Sequence, residues 1–232
     1  MQEVLGGRAP GAADMDRLSL CVDVLLETMR VRPPAYMVGR CAARDTQVSV
    51  KQRPPRRGHD SYSIQQGTTA LIAPYLLHCS AAFWGPDADE FKPGRWARLR
   101  QEGVIGQGWH AALADQGPGH SYMPFGGGPR NCIGTSFAML EAVIVLAKLL
   151  QQWRFEPPRA GAPFPSAAPL ITLRPTAVNV RLRRRQRPPV GTCGAVRFQQ
   201  AGAKHQCHAQ HIGQDCCRCS PKRRLAASSA YT

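Results

Sequence analysis

The chain has 232 residues, among them 22 Gly and 20 Pro, and a formal charge of +15; the length fits one domain or one and a half, and the composition predicts many loops. Eleven Lys and Arg against one acidic residue fall in residues 181–232, but only nineteen against fourteen in residues 1–180. The excess belongs to the tail, so charge alone does not make the body of the chain a nucleic-acid binder.

In chain order, residues 1–13 carry no strong period. From Asp16 onward, Leu18, Cys21, Val22, Leu25 and Met29 recur at three- and four-residue spacings and predict a helix. Arg32-Pro33-Pro34 ends it, because a residue before proline is pushed out of the α region. Extended runs follow at 36–38 and 46–50, then a basic, proline-rich loop at 51–57. Residues 68–73 read as a buried strand after Gly67, and residues 85–134 as mostly irregular. A helix is predicted over 135–153; it is apolar nearly all round, so burial is expected. Residues 170–173 and 178–182 read as two short strands joined by a turn at Arg174-Pro175, and periodicity stops after Arg183.

Nine cysteines, an odd number, and the lack of a basic-then-apolar leading segment leave a secretory disulfide framework unsupported. Reduced thiols are expected. The longest apolar stretch, 137–150, is interrupted by Glu141 and Lys148 and reads as too short to span a bilayer. No membrane segment is expected in this chain. Localisation stays open between a soluble cytoplasmic protein and one anchored through a missing N-terminus.

The stretch FGGGPRNCIG, residues 125–134, carries the most chemistry. A phosphate loop needs G-x-x-x-x-G-K-[ST], but five residues separate Gly128 from Gly134, and Thr135 follows where lysine is required. The dinucleotide fingerprint fails at Asn131. A structural turn remains open for any glycine cluster, yet the order F-x-x-G-x-R-x-C-x-G is far more restrictive than a cluster. Each element has a use around a haem iron. Cys132 can supply an axial thiolate, which the start of the following helix stabilises. The glycines, Gly128 and Gly134 among them, let the backbone approach a porphyrin. Arg130 can pair with a propionate, and Phe125 can cover the ligand from water.

The loop resembles the haem-binding signature of the cytochrome P450 family, the haem-thiolate monooxygenases, matching it at Phe125, Gly128, Arg130, Cys132 and Gly134. Upstream, Glu27 and Arg30 form the E-x-x-R pair of that family's K helix, on one helical face. The segment FWGPDADEFKPGRW resembles its meander, where Arg95 matches the third member of a structural ion network. The helix after Cys132 resembles the L helix. The resemblance implies a mainly α fold with small β-sheets (α+β): a partial cytochrome P450 fold running from K helix through haem loop and L helix to a terminal hairpin. It implies haem b, with Cys132 as iron ligand and Arg40 as a second propionate partner, although a surface arginine explains Arg40 equally well. It also implies O2, an apolar small-molecule substrate whose pocket borders residues 35–38 and 170–172, and electrons from NAD(P)H through a reductase or ferredoxin. Arg and Lys near Cys132 would attract an acidic donor.

The resemblance covers residues 3–183, the haem-proximal part of the family's domain. The I helix with its oxygen-activating acid–alcohol pair has no counterpart, so no catalytic residue is identified and coupling of electron flow to oxygenation is expected to be poor. The chain is read as partial rather than degraded, because its motifs are intact. It departs from the family at Gly94, where an acid is usual, at Cys79, where arginine is usual, and in a longer stretch at 97–120. Residues 184–232 read as a basic, disordered tail. Its His205, Cys207, His208, His211, Cys216, Cys217 and Cys219 are potential zinc ligands, and its basic runs could contact phosphates. The competing reading is therefore an inactive haem-binding fragment whose tail binds metal or nucleic acid.

Overall fold

The computed structural model describes residues 2–51, 59–163 and 165–185. The basic loop beyond Lys51, and the tail from residue 186 with its expected disorder and Cys/His cluster, lie outside the described residues.

A short helix α1 (Gln2–Leu5) places Leu5 in the core. Two 3-10 turns, Ala12–Asp14 and Asp16–Leu18, then lead into α2 (Ser19–Val31). Buried Asp14 holds the first turn by pairing with Arg8 and accepting from the Gly11 N–H at 3.0 Å. The helix stops where proline demands it: Arg32 caps it and leaves the helical region ahead of Pro33. Its inner face buries Cys21, Val22, Leu26, Glu27 and Arg30.

Strands β1 (Val38–Cys41), β2 (Thr46–Lys51), β3 (His59–Ile64) and β4 (Thr69–Ile72) form two separate antiparallel pairs, β1 with β4 and β2 with β3. The strand read at 68–73 is present as β4, but exposed throughout. A two-stranded ribbon has no inner layer of its own, so composition alone could not place it in a core. Between 73 and 121 the chain is more helical than its glycine and proline content indicated. Helices α3 (Pro74–His78), α4 (Ala81–Trp84), α5 (Gly94–Gln101) and α6 (Gly108–Ala114) each bury one or a few side chains: Pro74 and His78, Trp84, Arg95 with Trp96 and Leu99, and Trp109 with Ala112. Elements this short leave little periodicity to read.

The longest helix, α7 (Thr135–Gln152), buries only Met139, Val143 and Ala147. Those positions are four apart and form one stripe, which packs against α2. Phe137, Val145 and Leu149 stay exposed. The expectation of a helix buried all round is thus corrected: one stripe is fully buried, Leu140, Leu146 and Leu150 beside it are half-buried against the core, and much of the rest of the surface is left open. At 18 residues and a mean hydropathy of 1.2, α7 is also long and apolar enough to cross a membrane by length and composition, unlike the shorter stretch read from the sequence.

The C-terminal strands pair differently from the expected hairpin. β5 (Trp153–Glu156) continues directly from α7 and pairs with β8 (Arg181–Arg184), whereas β6 (Ala167–Pro169) pairs with β7 (Leu173–Pro175). Leu170 and Ile171 therefore sit in the turn, exposed, and Arg174-Pro175 in a strand. Pro175 is tolerated because both strands of a two-stranded sheet are edges. Arg183, counted with the basic tail, pairs with Glu156 at 2.9 Å.

The core gathers Trp84, Trp96, Tyr122, Leu26, Met139 and Val143. Gly117 is needed here on two counts: its φ is +66°, and a Cβ would lie 2.8 Å from the Tyr122 Cβ and 3.2 Å from the Trp84 ring. Gly117→Ala should cost about 1–3 kcal/mol, seen as a lower urea midpoint with an unchanged slope.

Candidate functional site

The side chains with the most partners lie on one face of α2. The Glu27 carboxylate accepts five hydrogen bonds: Arg30 Nε at 2.9 Å, Arg30 Nη2 at 2.9 Å, Arg95 Nε at 3.0 Å, Trp96 Nε1 at 3.1 Å and the Lys92 backbone N–H at 2.8 Å. Glu27 and Arg30 are fully buried and Arg95 nearly so. Burial pushes the Glu27 carboxyl up, but hydrogen bonds from Arg30 and the Lys92 amide, the Arg30 charge and Arg95 outweigh it and leave its pKa below the ordinary value. The structure therefore brings together the three residues that the sequence grouped, and adds two donors that no spacing rule supplies.

Arg30 spends its remaining donors on main-chain carbonyls, with Nη1 reaching His78 at 2.8 Å and Ala88 at 2.5 Å, and Nη2 reaching Glu90 at 2.8 Å. Its guanidinium also lies over Trp84, 5.2 Å from the ring centroid. Arg95 clamps the same segment through the Asp87 carbonyl at 2.9 Å and the Asp87 carboxylate at 3.2 Å. The meander-like segment is thus held from within by its own carbonyls.

Two fully buried rings lead from this network to the glycine loop. Tyr122 donates its hydroxyl to the Leu26 carbonyl at 2.8 Å and packs 4.7 Å from Trp96 and 5.0 Å from His78 between centroids. Burial drives its phenol far above the ordinary value, with Glu27 adding to the rise. His78, which sequence reasoning passed over, accepts the Met123 N–H at Nε2 (2.9 Å), while Nδ1 faces the Met29 carbonyl at 3.2 Å. Its only sequence signal was position, a histidine at the end of a short helix ahead of FWGPDA.

The loop itself closes on backbone bonds: Gly126 N–H to the Met123 carbonyl (3.1 Å), Cys132 N–H to the Phe125 carbonyl (2.9 Å) and Asn131 N–H to the Gly128 carbonyl (3.0 Å). Gly126 and Gly128 adopt φ of +83° and +66°, which favours glycine. At Gly127 a Cβ would meet the Gln116 amide nitrogen at 2.7 Å, a contact that the flexible glutamine side chain can relieve by moving. Gly134 precedes α7 with an ordinary φ, and its missing Cβ would lie 3.8 Å from the Cys132 sulfur.

Cys132 is an exposed free thiol at the foot of α7. Thr135 opens that helix and donates its hydroxyl to the Cys132 carbonyl at 2.7 Å. Ile133 and Phe137 beside it are exposed, at 104% and 71%. Arg130 ends the short turn Gly128–Arg130 and is exposed. Phe125 is half-buried and packs against the core. Arg40 lies on β1, exposed, with Nη1 bonded to the carbonyl of neighbouring Gly39 at 2.8 Å. Among the described residues no three His, Cys, Asp or Glu side chains cluster as a metal site. An open cleft of about 430 Å³, lined among others by buried Asp23 and Trp109 and half-buried Arg100, lies elsewhere, and none of the loop residues lines it.

The sequence model of the family described as Cytochrome P450 matches residues 1–181. Cyclooctatin synthase of Streptomyces melanosporofaciens is 37% identical over 157 residues, covering 68% of this chain and 29% of that protein. Cytochrome P450 714C3 of Oryza sativa subsp. japonica is 35% identical over 156 residues, covering 67% of this chain and 26% of its own length. The chain thus spans less than a third of either relative. A crystal structure of a cytochrome P450 (CYP102L1) superposes with a TM-score of 0.56 at 30% identity, over 75% of this chain and 33% of that one. With the network, the loop and the fold in agreement with these matches, the chain belongs to the cytochrome P450 family.

Proposed function

We propose that this chain is the haem-binding part of a haem-thiolate monooxygenase, with Cys132 as the residue that would hold the iron through its thiolate. The observation that carries this reading is the placement of one exposed thiol on a backbone-closed loop at the foot of α7. A single soft donor cannot hold a bare metal ion, which takes several protein ligands. It suits an iron that already carries four macrocycle nitrogens and needs one protein ligand. The surroundings fit such a group: Ile133 and Phe137 offer apolar surface, and nothing lies within 4 Å of where a Gly128 Cβ would stand.

When bound, the haem supplies activation of O2 and insertion of one oxygen atom into an apolar organic substrate, the other oxygen leaving as water. The protein's part is to hold and tune. Cys132 donates electron density as a thiolate; the Thr135 hydroxyl fixes the orientation of its carbonyl. Arg130 and Arg40, both exposed cations, are assigned to the propionates. Glu27, Arg30 and Arg95 hold the scaffold beneath. Electrons come from NAD(P)H through a reductase or ferredoxin that docks on the Cys132 side.

The test is the spectrum of the reduced, haem-loaded chain under CO. The red-shifted Soret band of a thiolate-ligated haem is expected, and Cys132→Ala should abolish it. Absence of that band from haem-loaded wild-type chain would overturn the reading.

A further inference from the structure

The buried ion network on α2 and the Cys132 loop are separate assemblies, and His78 is bonded to both. Its main-chain carbonyl accepts from Arg30 Nη1 at 2.8 Å, and its ring meets the Met123 N–H at 2.9 Å. The Met123 carbonyl in turn accepts from Gly126, and the Phe125 carbonyl from Cys132 itself. A continuous run of hydrogen bonds therefore leads from Arg30 through His78 into the loop.

The tautomer follows from the partners. A backbone N–H can only donate, so Nε2 must carry a lone pair, and the ring proton sits on Nδ1, where the Met29 carbonyl accepts it. Both ring nitrogens are thus committed in a fully buried ring.

We propose that His78 is a positioning residue whose unprotonated Nε2 holds the Met123 amide and so fixes where the loop presents Cys132. A protonated ring would set one donor against another and release the loop. Burial supports the neutral state by pushing the His78 pKa down to about 4, with the Arg30 charge acting in the same direction. The groups around it are Arg30 on α2, whose own carboxylate partner is Glu27, the adjoining thiol of Cys79, raised by burial, and Tyr122 on the approach to the loop. Of these, His78 is the one whose ring bonds the loop.

The haem reading enters only through the role given to Cys132, so the test has one arm without haem and one with it. In the full chain without haem, His78→Leu should speed amide hydrogen exchange across residues 123–132 by roughly ten- to a hundredfold at neutral pH. His78→Gln keeps an acceptor that does not titrate. It should preserve protection of that segment at neutral pH and remove the wild-type increase in exchange, corrected for intrinsic rate, as pH falls through about 4. In haem-loaded chain under CO, His78→Leu should shift wild-type thiolate-type spectrum toward the thiol-ligated form, with partial rescue by His78→Gln.

Unchanged exchange over 123–132 in folded His78→Leu would overturn the proposal. So would a His78→Gln variant that opens with acid as wild type does, an outcome that stands even if the leucine variant fails to fold. If the exchange results hold but wild-type chain gives no thiolate-type band, the haem reading fails and the positioning role stands. If the band is present and indifferent to His78 while exchange is unchanged, the reverse is true.

Discussion

Glu27→Ala is expected to lower the free energy of unfolding by about 3–5 kcal/mol, a large share of the roughly 5–15 kcal/mol that holds a domain together. The reason is what it leaves behind. Five donors converge on this carboxylate, among them the Nε of two arginines that are themselves buried. Its removal strands the Arg30 guanidinium charge, an indole N–H and the Lys92 amide away from water, and leaves Arg95 with Asp87 as its remaining carboxylate partner. Glu27→Gln keeps the shape and one acceptor oxygen but loses the charge, so its cost should fall between wild type and alanine. Urea unfolding of both variants with a common slope is the measurement. A Glu27→Ala cost below about 1 kcal/mol would mean that the network is open to water.

The same carboxylate sets part of the acid limit. Its folded pKa lies below the ordinary value, so the folded chain binds this proton more weakly than the unfolded chain does. Its contribution is full above the ordinary carboxylate range and is lost as pH falls through the folded value. His78 adds to the loss at higher pH. The unfolded chain takes up that proton below about 6.5, and the folded chain only near about 4, so stability declines with falling pH across that window and levels off below it.

Trp96→Ala should cost a further large amount, about 3–5 kcal/mol. The ring is fully buried, 5.6 Å from Trp84 and 4.7 Å from Tyr122 between centroids. Truncation opens a cavity at the junction of α2, α5 and the approach to the loop, and also takes one donor from Glu27. Trp96→Phe separates the two effects: it keeps most of the ring contact and loses only the bond to a charged acceptor, at about 1.5–3 kcal/mol. Combined with Glu27→Gln it should be less than additive, because both changes remove the same hydrogen bond. Additive costs in a double-mutant cycle would show that the indole is not bonded to Glu27 in solution.

Much of the candidate site was legible because its parts are local. Glu27 and Arg30 share a helix face by spacing, and proline after Arg32 marks where that helix must stop. The order of phenylalanine, glycine, arginine and cysteine in the loop reflects backbone conformation, seen now in the positive φ of Gly126 and Gly128. His78 was not legible, since a histidine in a five-residue helix carries no periodic signal and both its ring partners are main-chain atoms remote in sequence. The strand pairing at 153–184 was misread for a related reason. Short apolar runs do not state their partners, and β5 takes the distant β8 where a nearby hairpin was expected.

By itself, then, the sequence determined the family, the thiol at Cys132, the grouping of Glu27, Arg30 and Arg95, and where α2 stops and α7 runs, all through local geometry or motif order. Only the tertiary structure decided which groups complete the Glu27 site, that α7 buries a single stripe, that β4 lies exposed, and that His78 joins the network to the loop. Those outcomes depend on burial and on main-chain and side-chain partners contributed by segments 45 to 69 positions apart, which no local pattern encodes.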